Sequence, residues 1–468
     1  MKSLASESHF QTVETAPECK RLFNAIQSTF RINYKHFVEK IHSYIYAYDL
    51  KERPKSTLEY PKERPISTLE VFHMYGPCSP KVGTSPMNMP SAQDILHRDR
   101  QRIKSLQARF KPNKYDSRFQ DTKEAAHLPI SSGDYAISIS LGTPQQVQTL
   151  VFDTGSDITW TKEFHHYAST SLNIITCDRP LCYSLLPHHT CEMFNNIENT
   201  CYYESLYADG SYSKGAWSKD ILNITQTGDV FPNFLFGCAT EVQTQLPEDG
   251  ILGLDKTLIS FVTQTERTYK GIFSYCFPSS ISSTGFLKLG PRDFPNTVKF
   301  THLIANPDYP AYYFINIISI RVGHVQLLTH DFGLMFRNTI IDSGTVITRL
   351  PMNVYMTMRN EFQNHMNVLG YGIVQSPVNY FDTCYLNNTR LISIVPIITF
   401  TFEGGVNVDL DASATLFPFH AGYIVCLAFV GNSDPTELNV FGNTQQKKLE
   451  VVYDVEGERL GFIPDGCP

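Results

Sequence analysis

From residue 128 onward the apolar positions come in short runs broken by Gly, Pro or Asp. They include DYAISISLGTPQQVQTLVFD, FLFGCAT, GFLKLG, YYFINIISIRVG, IITFTFEGG, YIVCLAFVG and LEVVYDVEGERLGFI. Runs of this length and composition predict strands, so the body is expected to be mostly β. Helical stretches there are few and short: LISFVTQTE, and PMNVYMTMRNEFQNHM with Pro351 near its start, where the missing N–H is tolerated. Upstream the pattern changes. SAQDILHRDRQRIKSLQARF, residues 91 to 110, opens on a Ser N-cap and sets Ile95, Arg102, Leu106 and Phe110 at helical spacing. That predicts a basic amphipathic helix, whose plainest reading is a solvated surface helix. The tandem copy KERPKSTLE and KERPISTLE within residues 51 to 70 reads as a duplicated linker.

One pattern occurs twice. LVFDTGSDITW, residues 150 to 160, ends an apolar run on Asp153 and turns on Thr-Gly-Ser; TIIDSGTVITR repeats this around Asp342, 189 residues later. A single copy is ordinary turn chemistry, because Asp and Thr bond nearby backbone and Gly accepts positive φ. Two copies need a reason. Each Asp is also followed, at the same distance of 100 residues, by the Gly of an apolar-apolar-Gly triplet, Gly253 and Gly442. A long-period repeat with one carboxylate per copy predicts two similar lobes that each offer one Asp to a shared site. Between the copies, YYESLYADGSYSKGAWS has Asp209-Gly210 between alternating strands, a hairpin signal with Tyr207 just before its tip. An aromatic there also has the simpler reading of packing on the sheet.

At 468 residues with 42% hydrophobic composition, the chain fits two domains plus an appendage. Charge divides along the same line: residues 1 to 127 carry net +7, residues 128 to 468 net −14. A basic segment leading an acidic body suits a leader that covers an acidic cleft better than it suits a nucleic-acid binder. Eleven cysteines, nine after residue 128, suggest an oxidising compartment, and their spacing lacks the paired CxxC and His partners of a metal site. The triplets at Asn223 and Asn387 are glycosylation sequons, which also arise by chance. The first twenty residues hold no apolar h-region, and no run approaches the roughly 18 apolar residues of a membrane helix.

Taken together, the two Asp loops, the Asp-Gly hairpin and the ordered motifs STLEVFHMYGPCSP, DGILGL, FDTCY, VCLAFVGNSD and NVFGNTQQKKLEVVYDV resemble the pepsin-like aspartic proteases, within them the plant nepenthesin-like group. The resemblance runs from about residue 68 to the end. The leader's wording is similar to a subset described as chloroplast-nucleoid, DNA-binding proteases. The resemblance implies a mostly β, bilobal pepsin-like fold of two related β-barrel-like lobes with the active-site cleft between them, preceded by a partly helical prosegment. The divisions expected are 1–70 as an atypical extension or linker, 71–127 as a basic prosegment, 128–300 and 301–468 as the two lobes.

Carried onto this chain, the resemblance makes Asp153 and Asp342 the catalytic pair. It makes Gly155 and Gly344 the residues that let the loops approach, Thr154 and Ser343 the hydroxyls exchanged across them, and Ser156 and Thr345 donors to the outer carboxylate oxygens. Tyr207, with Asp209 and Gly210, would form a flap that closes over substrate, and Tyr207 would bond Trp160. The family pattern pairs Cys276 with Cys467 and Cys384 with Cys426. No cofactor or metal is implied. The partners expected are an extended polypeptide substrate and the chain's own prosegment, on a monomer without a membrane span in the secretory pathway; the chloroplast is the alternative compartment.

Three departures stand out. The cysteine-rich insert after Trp160-Thr161 is about twenty residues shorter than usual, which leaves a cysteine such as Cys238 without a partner. Ala208 and Asp255 replace usual glycines. Two other functions compete with an acid endopeptidase: a catalytically decayed binding or inhibitor protein on the same fold, and a DNA-associated chloroplast protein whose basic leader contacts phosphate.

Overall fold

The computed structural model describes residues 66–80, 90–110, 135–162, 164, 168–185, 190–194, 197–206, 212–243, 249–278, 282–327, 336, 339–388 and 390–467. Its architecture is mostly β, as the apolar runs predict. The two Asp repeats are built alike. Strand Gln146–Asp153 runs parallel to Gly250–Gly253, with Asp153 opposite Gly253. Strand Thr339–Ile341 runs parallel to Asn439–Phe441, with Ile341 opposite Phe441. This explains the shared spacing of 100 residues: each apolar-apolar-Gly triplet is the strand beside its Asp. Both strands of each pair are buried along these residues, which is why they read as continuous apolar runs.

A sheet joins the lobes. Strand Ile272–Cys276 pairs with Thr284–Leu289 on one side and with Glu450–Asp454 on the other, and Arg459–Ile463 and Lys299–His302 continue it. The division expected at residue 300 therefore falls inside a strand. Aromatic side chains fill the space beneath: Phe273 stacks on Tyr453 at 4.5 Å, and Tyr313 meets the same ring edge-on at 4.7 Å.

The leader enters this sheet as well. Ser67–His73 pairs antiparallel with Thr284–Leu289 over six residues and with Tyr135–Leu141 at Phe72 and His73. Leu69 and Val71 alternate into the main core, fully buried. The expected division at residue 70 cuts this strand. The second leader element is the helix Ala92–Phe110, capped by Ser91: the Asp94 N–H donates to Ser91 Oγ at 3.2 Å, and Asp94 Oδ2 accepts the Ser91 N–H at 3.0 Å. No helix among the described residues is long and apolar enough to cross a membrane.

Four disulfides staple the body. Cys276–Cys467 and Cys384–Cys426 follow the family pairing, and Cys177–Cys191 and Cys182–Cys201 bind the region after the shortened insert. The three sulfurs of Cys177, Cys182 and Cys191 lie close together, but all are engaged in these bonds. Cys238 is free and buried, and burial pushes its thiol up to about 12, so it stays protonated. Cys276–Cys467 closes 191 residues and holds the last strand on the sheet. Cys467→Ser is expected to lower unfolding free energy by about 2–5 kcal/mol in denaturant titration, with the same fold by circular dichroism.

Candidate active site

Two loops meet where the lobes meet, and each turns because an Asp folds back on its own backbone. The Gly155 N–H donates to Asp153 Oδ1 at 2.9 Å, and the Gly344 N–H to Asp342 Oδ1 at 3.1 Å. A hydroxyl then reaches each outer oxygen: Ser156 Oγ donates to Asp153 Oδ2 and Thr345 Oγ1 to Asp342 Oδ2, both at 2.5 Å. Across the seam the Thr154 N–H donates to Ser343 Oγ and the Ser343 N–H to Thr154 Oγ1, both at 2.9 Å. The residues expected around the dyad are thus brought together as a two-fold set. A Cβ on Gly155 would lie 2.8 Å from Asp342 Oδ1, and one on Gly344 2.5 Å from Asp153 Oδ1. Any side chain at either position would wedge the loops apart.

Into this pair the leader helix inserts Arg102, fully buried like both carboxylates. Its Nη1 and Nη2 donate to Asp153 Oδ2 and Oδ1 at 2.8 Å each. Nη2 also reaches Asp342 Oδ1 at 2.9 Å, and Nε reaches Asp342 Oδ2 at 3.0 Å. The planar fork therefore grips both carboxylates at once. The two acids respond differently. At Asp153, burial pushes the pKa up, but Arg102 and Ser156 outweigh it and hold the group below the ordinary carboxylate range. At Asp342, burial wins over Arg102, the charge of Asp153 adds to it, and the pKa is pushed up to about 6. The pair titrates as a unit.

The helix is seated by more than this arginine. Ile95 and Leu96 pack in one apolar cluster with Val346, Ile347 and Phe381; Ile103 and Leu106 pack in another with Tyr312, Phe314 and Val440. The side-chain amide of Gln107 donates to the Leu438 carbonyl at 2.8 Å and accepts its N–H at 2.5 Å. Asp99, fully buried, accepts the Val346 N–H at 2.7 Å and the Tyr380 hydroxyl at 2.9 Å, and pairs with Arg349 at 3.4 Å. Helical spacing singled out Ile95, Arg102 and Leu106, but not Asp99 or Gln107, whose polar side chains suited a solvated face.

Other expected residues lie elsewhere. Trp160 is buried in a cluster with Tyr203, Trp217 and Ile251. Tyr207, Ala208, Asp209 and Gly210 lie outside the described residues. Asn223 is only 8% exposed, in a strand paired on both sides. Asn387 is half-buried, and its side-chain amide donates to the Gly422 carbonyl at 2.8 Å. Asp255 is buried and closes a turn by accepting the Thr257 N–H at 2.8 Å.

The family described as xylanase inhibitor N-terminal matches residues 135–291, and the one described as xylanase inhibitor C-terminal matches residues 312–464. An aspartyl protease family protein of Arabidopsis thaliana is 36% identical over 423 residues, covering 86% of this chain and 87% of the relative. This chain belongs to the pepsin-like aspartyl protease family. Aspartyl protease AED1 of the same plant is 35% identical over 86% of this chain and 87% of its own length. Nepenthesin-2 of Nepenthes gracilis is 30% identical over 72% of this chain and 80% of its own length. Among solved structures, edgp matches with a TM-score of 0.61 at 22% identity, covering 73% of this chain and 93% of that one. Soybean basic 7S globulin matches with a TM-score of 0.58 at 20% identity, covering 71% of this chain and 95% of that one. At such identity these two establish the pepsin-like two-lobe fold alone.

Within this aspartyl protease fold the anchoring of the leader is testable. Asp99→Ala leaves Arg349 and the Val346 and Ile347 N–H groups without this shared buried acceptor, which is expected to cost about 3–5 kcal/mol of helix docking. Limited proteolysis at pH 7 should then cut within residues 90–110 at least tenfold faster than in wild type, with the body intact.

Proposed function

We propose that this chain is an aspartic endopeptidase, held inactive at neutral pH by its own leader. The observation that carries the reading is the pair of buried carboxylates with matching donor sets, both facing one space. Hydrolysing an amide with bound water needs one carboxylate to take a proton from the water and one carboxylic acid to protonate the carbonyl oxygen. The opposite displacements of Asp153 and Asp342 favour that division, because two adjacent carboxylates resist ionising together. With the leader gone, water between them attacks the carbonyl carbon as the charged member accepts its proton and the protonated member gives its own to the oxygen. The diol intermediate then collapses, its proton passing to the departing amine. The substrate is an extended polypeptide, and a flap around Tyr207 would cover it. Four disulfides favour a secretory compartment.

In the full chain the space for that water is filled by Arg102, which supports a zymogen. Arg102 favours the charged form of both carboxyls while burial opposes it, so protonating them removes the attraction that Arg102 supplies. The window opens as Asp342 protonates near 6 and closes below the ordinary Asp range, where Asp153 follows. Relative to the unfolded chain the sign at Asp342 is reversed. Its raised pKa adds stability as pH falls through about 6, so at this group acid does not favour unfolding.

Full-length protein is expected to cleave denatured protein at about pH 3–5 and to be silent at pH 7, while Asp342→Asn loses activity at least a hundredfold. Arg102→Met should become active at pH 6, where wild type is not. An Asn variant as active as wild type, with contaminating proteases excluded, would overturn the dyad assignment. A second reading, a binding protein on this fold, is favoured by the xylanase-inhibitor descriptions of the matching families. A folded, leader-free protein without peptidase activity from pH 3 to 7 would favour it.

A further inference from the structure

The groups that hold Asp99 all belong to the body, and the leader contributes only the carboxylate. The Val346 and Ile347 N–H groups donate to Asp99 Oδ1 at 2.7 and 3.4 Å. On Oδ2 the Tyr380 hydroxyl donates at 2.9 Å and Arg349 Nη2 at 3.4 Å. Arg349 Nη2 also donates to the Tyr380 hydroxyl, and its guanidinium lies 5.3 Å from the centroid of that ring. Four donors, two to each oxygen, match what an ionised carboxylate accepts and suit neither an ammonium nor an apolar group.

Arg349 lies in the strand Thr348–Leu350, just beyond the Asp342 loop. It is 7% exposed, and among the described residues Asp99 is the one carboxylate within ion-pair distance of it. Its Nε is buried as well and has no acceptor among the described residues. Asp99 therefore meets only part of a fork that could hold a carboxylate by Nε and Nη2 together. When the helix leaves, its carboxylate leaves with it, while Arg349 stays with the body. An extended peptide filling the cleft would cover the guanidinium again. With no negative group at that point it would bury an unpaired cation, whereas an acidic side chain would restore the pairing.

The helix also gives the position. Asp99 precedes Arg102, which occupies the dyad, by one turn, about 4.5 Å along the axis and on the same face. An extended chain advances about 3.3 Å per residue, so the matching side chain lies close to the bond being cut. We propose that the four donors around Asp99 form a substrate subsite for one acidic side chain, which places Glu or Asp within about three residues of the scissile bond. The docked leader fills this subsite with Asp99 as it fills the dyad with Arg102. The proposal rests on the reading of this chain as a protease and adds a substrate class to it.

The experiment uses the full chain after acid exposure and peptides of one sequence, with Glu, Gln or Lys placed in turn at each position within about three residues of the scissile bond. Two readouts are taken at about pH 5: kcat/KM for cleavage, and fluorescence anisotropy with labelled peptides whose scissile amide is reduced and cannot be hydrolysed. At one position Glu should exceed Gln at least tenfold in both readouts, with Lys below Gln. At about pH 3 the ratio should fall to about twofold, because the peptide carboxyl is protonated there while the Arg349 guanidinium and the Tyr380 phenol keep their protons. Changes in the dyad's own ionisation act on both peptides and cancel in the ratio. Arg349→Met should bring the Glu/Gln ratio close to one, and Tyr380→Phe should lower it about threefold. A wild-type ratio below twofold at every position, a ratio unchanged in Arg349→Met, or no binding of any reduced peptide would overturn the proposal. Cleavage without a Glu preference sinks this subsite and leaves the protease reading standing; Glu-selective binding without cleavage of any peptide does the reverse. If Arg349→Met does not fold, Tyr380→Phe and the comparison of wild type at the two pH values decide.

Discussion

Two carboxylates must be held together, out of water, at the seam of two lobes, and most of the structure answers that constraint. Like charges in such a place repel, and each alone would rather be neutral than buried and ionised. The fold supplies each with a backbone N–H and a hydroxyl, leaves glycine where a Cβ would collide, and locks the loops by exchanged hydroxyls. These groups favour charge on both acids without deciding which one carries it. Arg102 supplies the remaining compensation in the full chain, a single cation shared between two anions.

That ionic contact is a poor candidate for what holds the leader on. Moving a guanidinium and two carboxylates out of water costs several kcal/mol per ion, and the Coulomb gain offsets it only in part. Affinity comes instead from four apolar side chains in two clusters, from Gln107 paired with the Leu438 backbone, and from Asp99. Arg102 then sets the register of the helix over the dyad. Asp99 also reverses the expected polarity: on a basic leader facing an acidic body, one buried contact is an acid on the leader meeting Arg349 of the body. Net charge of +7 against −14 describes a screened, long-range attraction, whereas docking depends on individual buried partners.

What could be read from the sequence divides by the range of the interactions. The dyad loops were legible because each is a local turn written in six residues, and the second copy removed the ambiguity of the first. The leader helix was legible from its Ser cap and period, but which of its basic residues enters the cleft was not, because charge sign does not single one out. The pairing of Cys276 with Cys467 came from the family pattern, since spacing alone permits many connectivities. Strand Ser67–His73 was read as linker up to residue 70 because its neighbours in the sheet lie far along the chain, and a duplicated STLE looked like repetition rather than an edge to be paired. Tyr275 and Tyr453 were invisible for the same reason: both alternate properly into a strand core, and nothing local marks a buried hydroxyl 178 residues from its partner.

The sheet between the lobes ties these points together. Its strand Glu450–Asp454 lies beside Ile272–Cys276, whose last residue is tied to Cys467, and carries Tyr453 against Phe273 and Tyr275. The crossed hydroxyls set the loops relative to each other; Gln446, which donates to the Asp342 carbonyl and accepts from Tyr275, ties the Asp342 loop to the sheet. Two carboxylates that share a proton depend on a constant separation, which the crossed hydroxyls hold. The same geometry explains why the chain uses phenols there: they span between strands while their rings fill the aromatic core, so a polar link crosses it without opening a cavity.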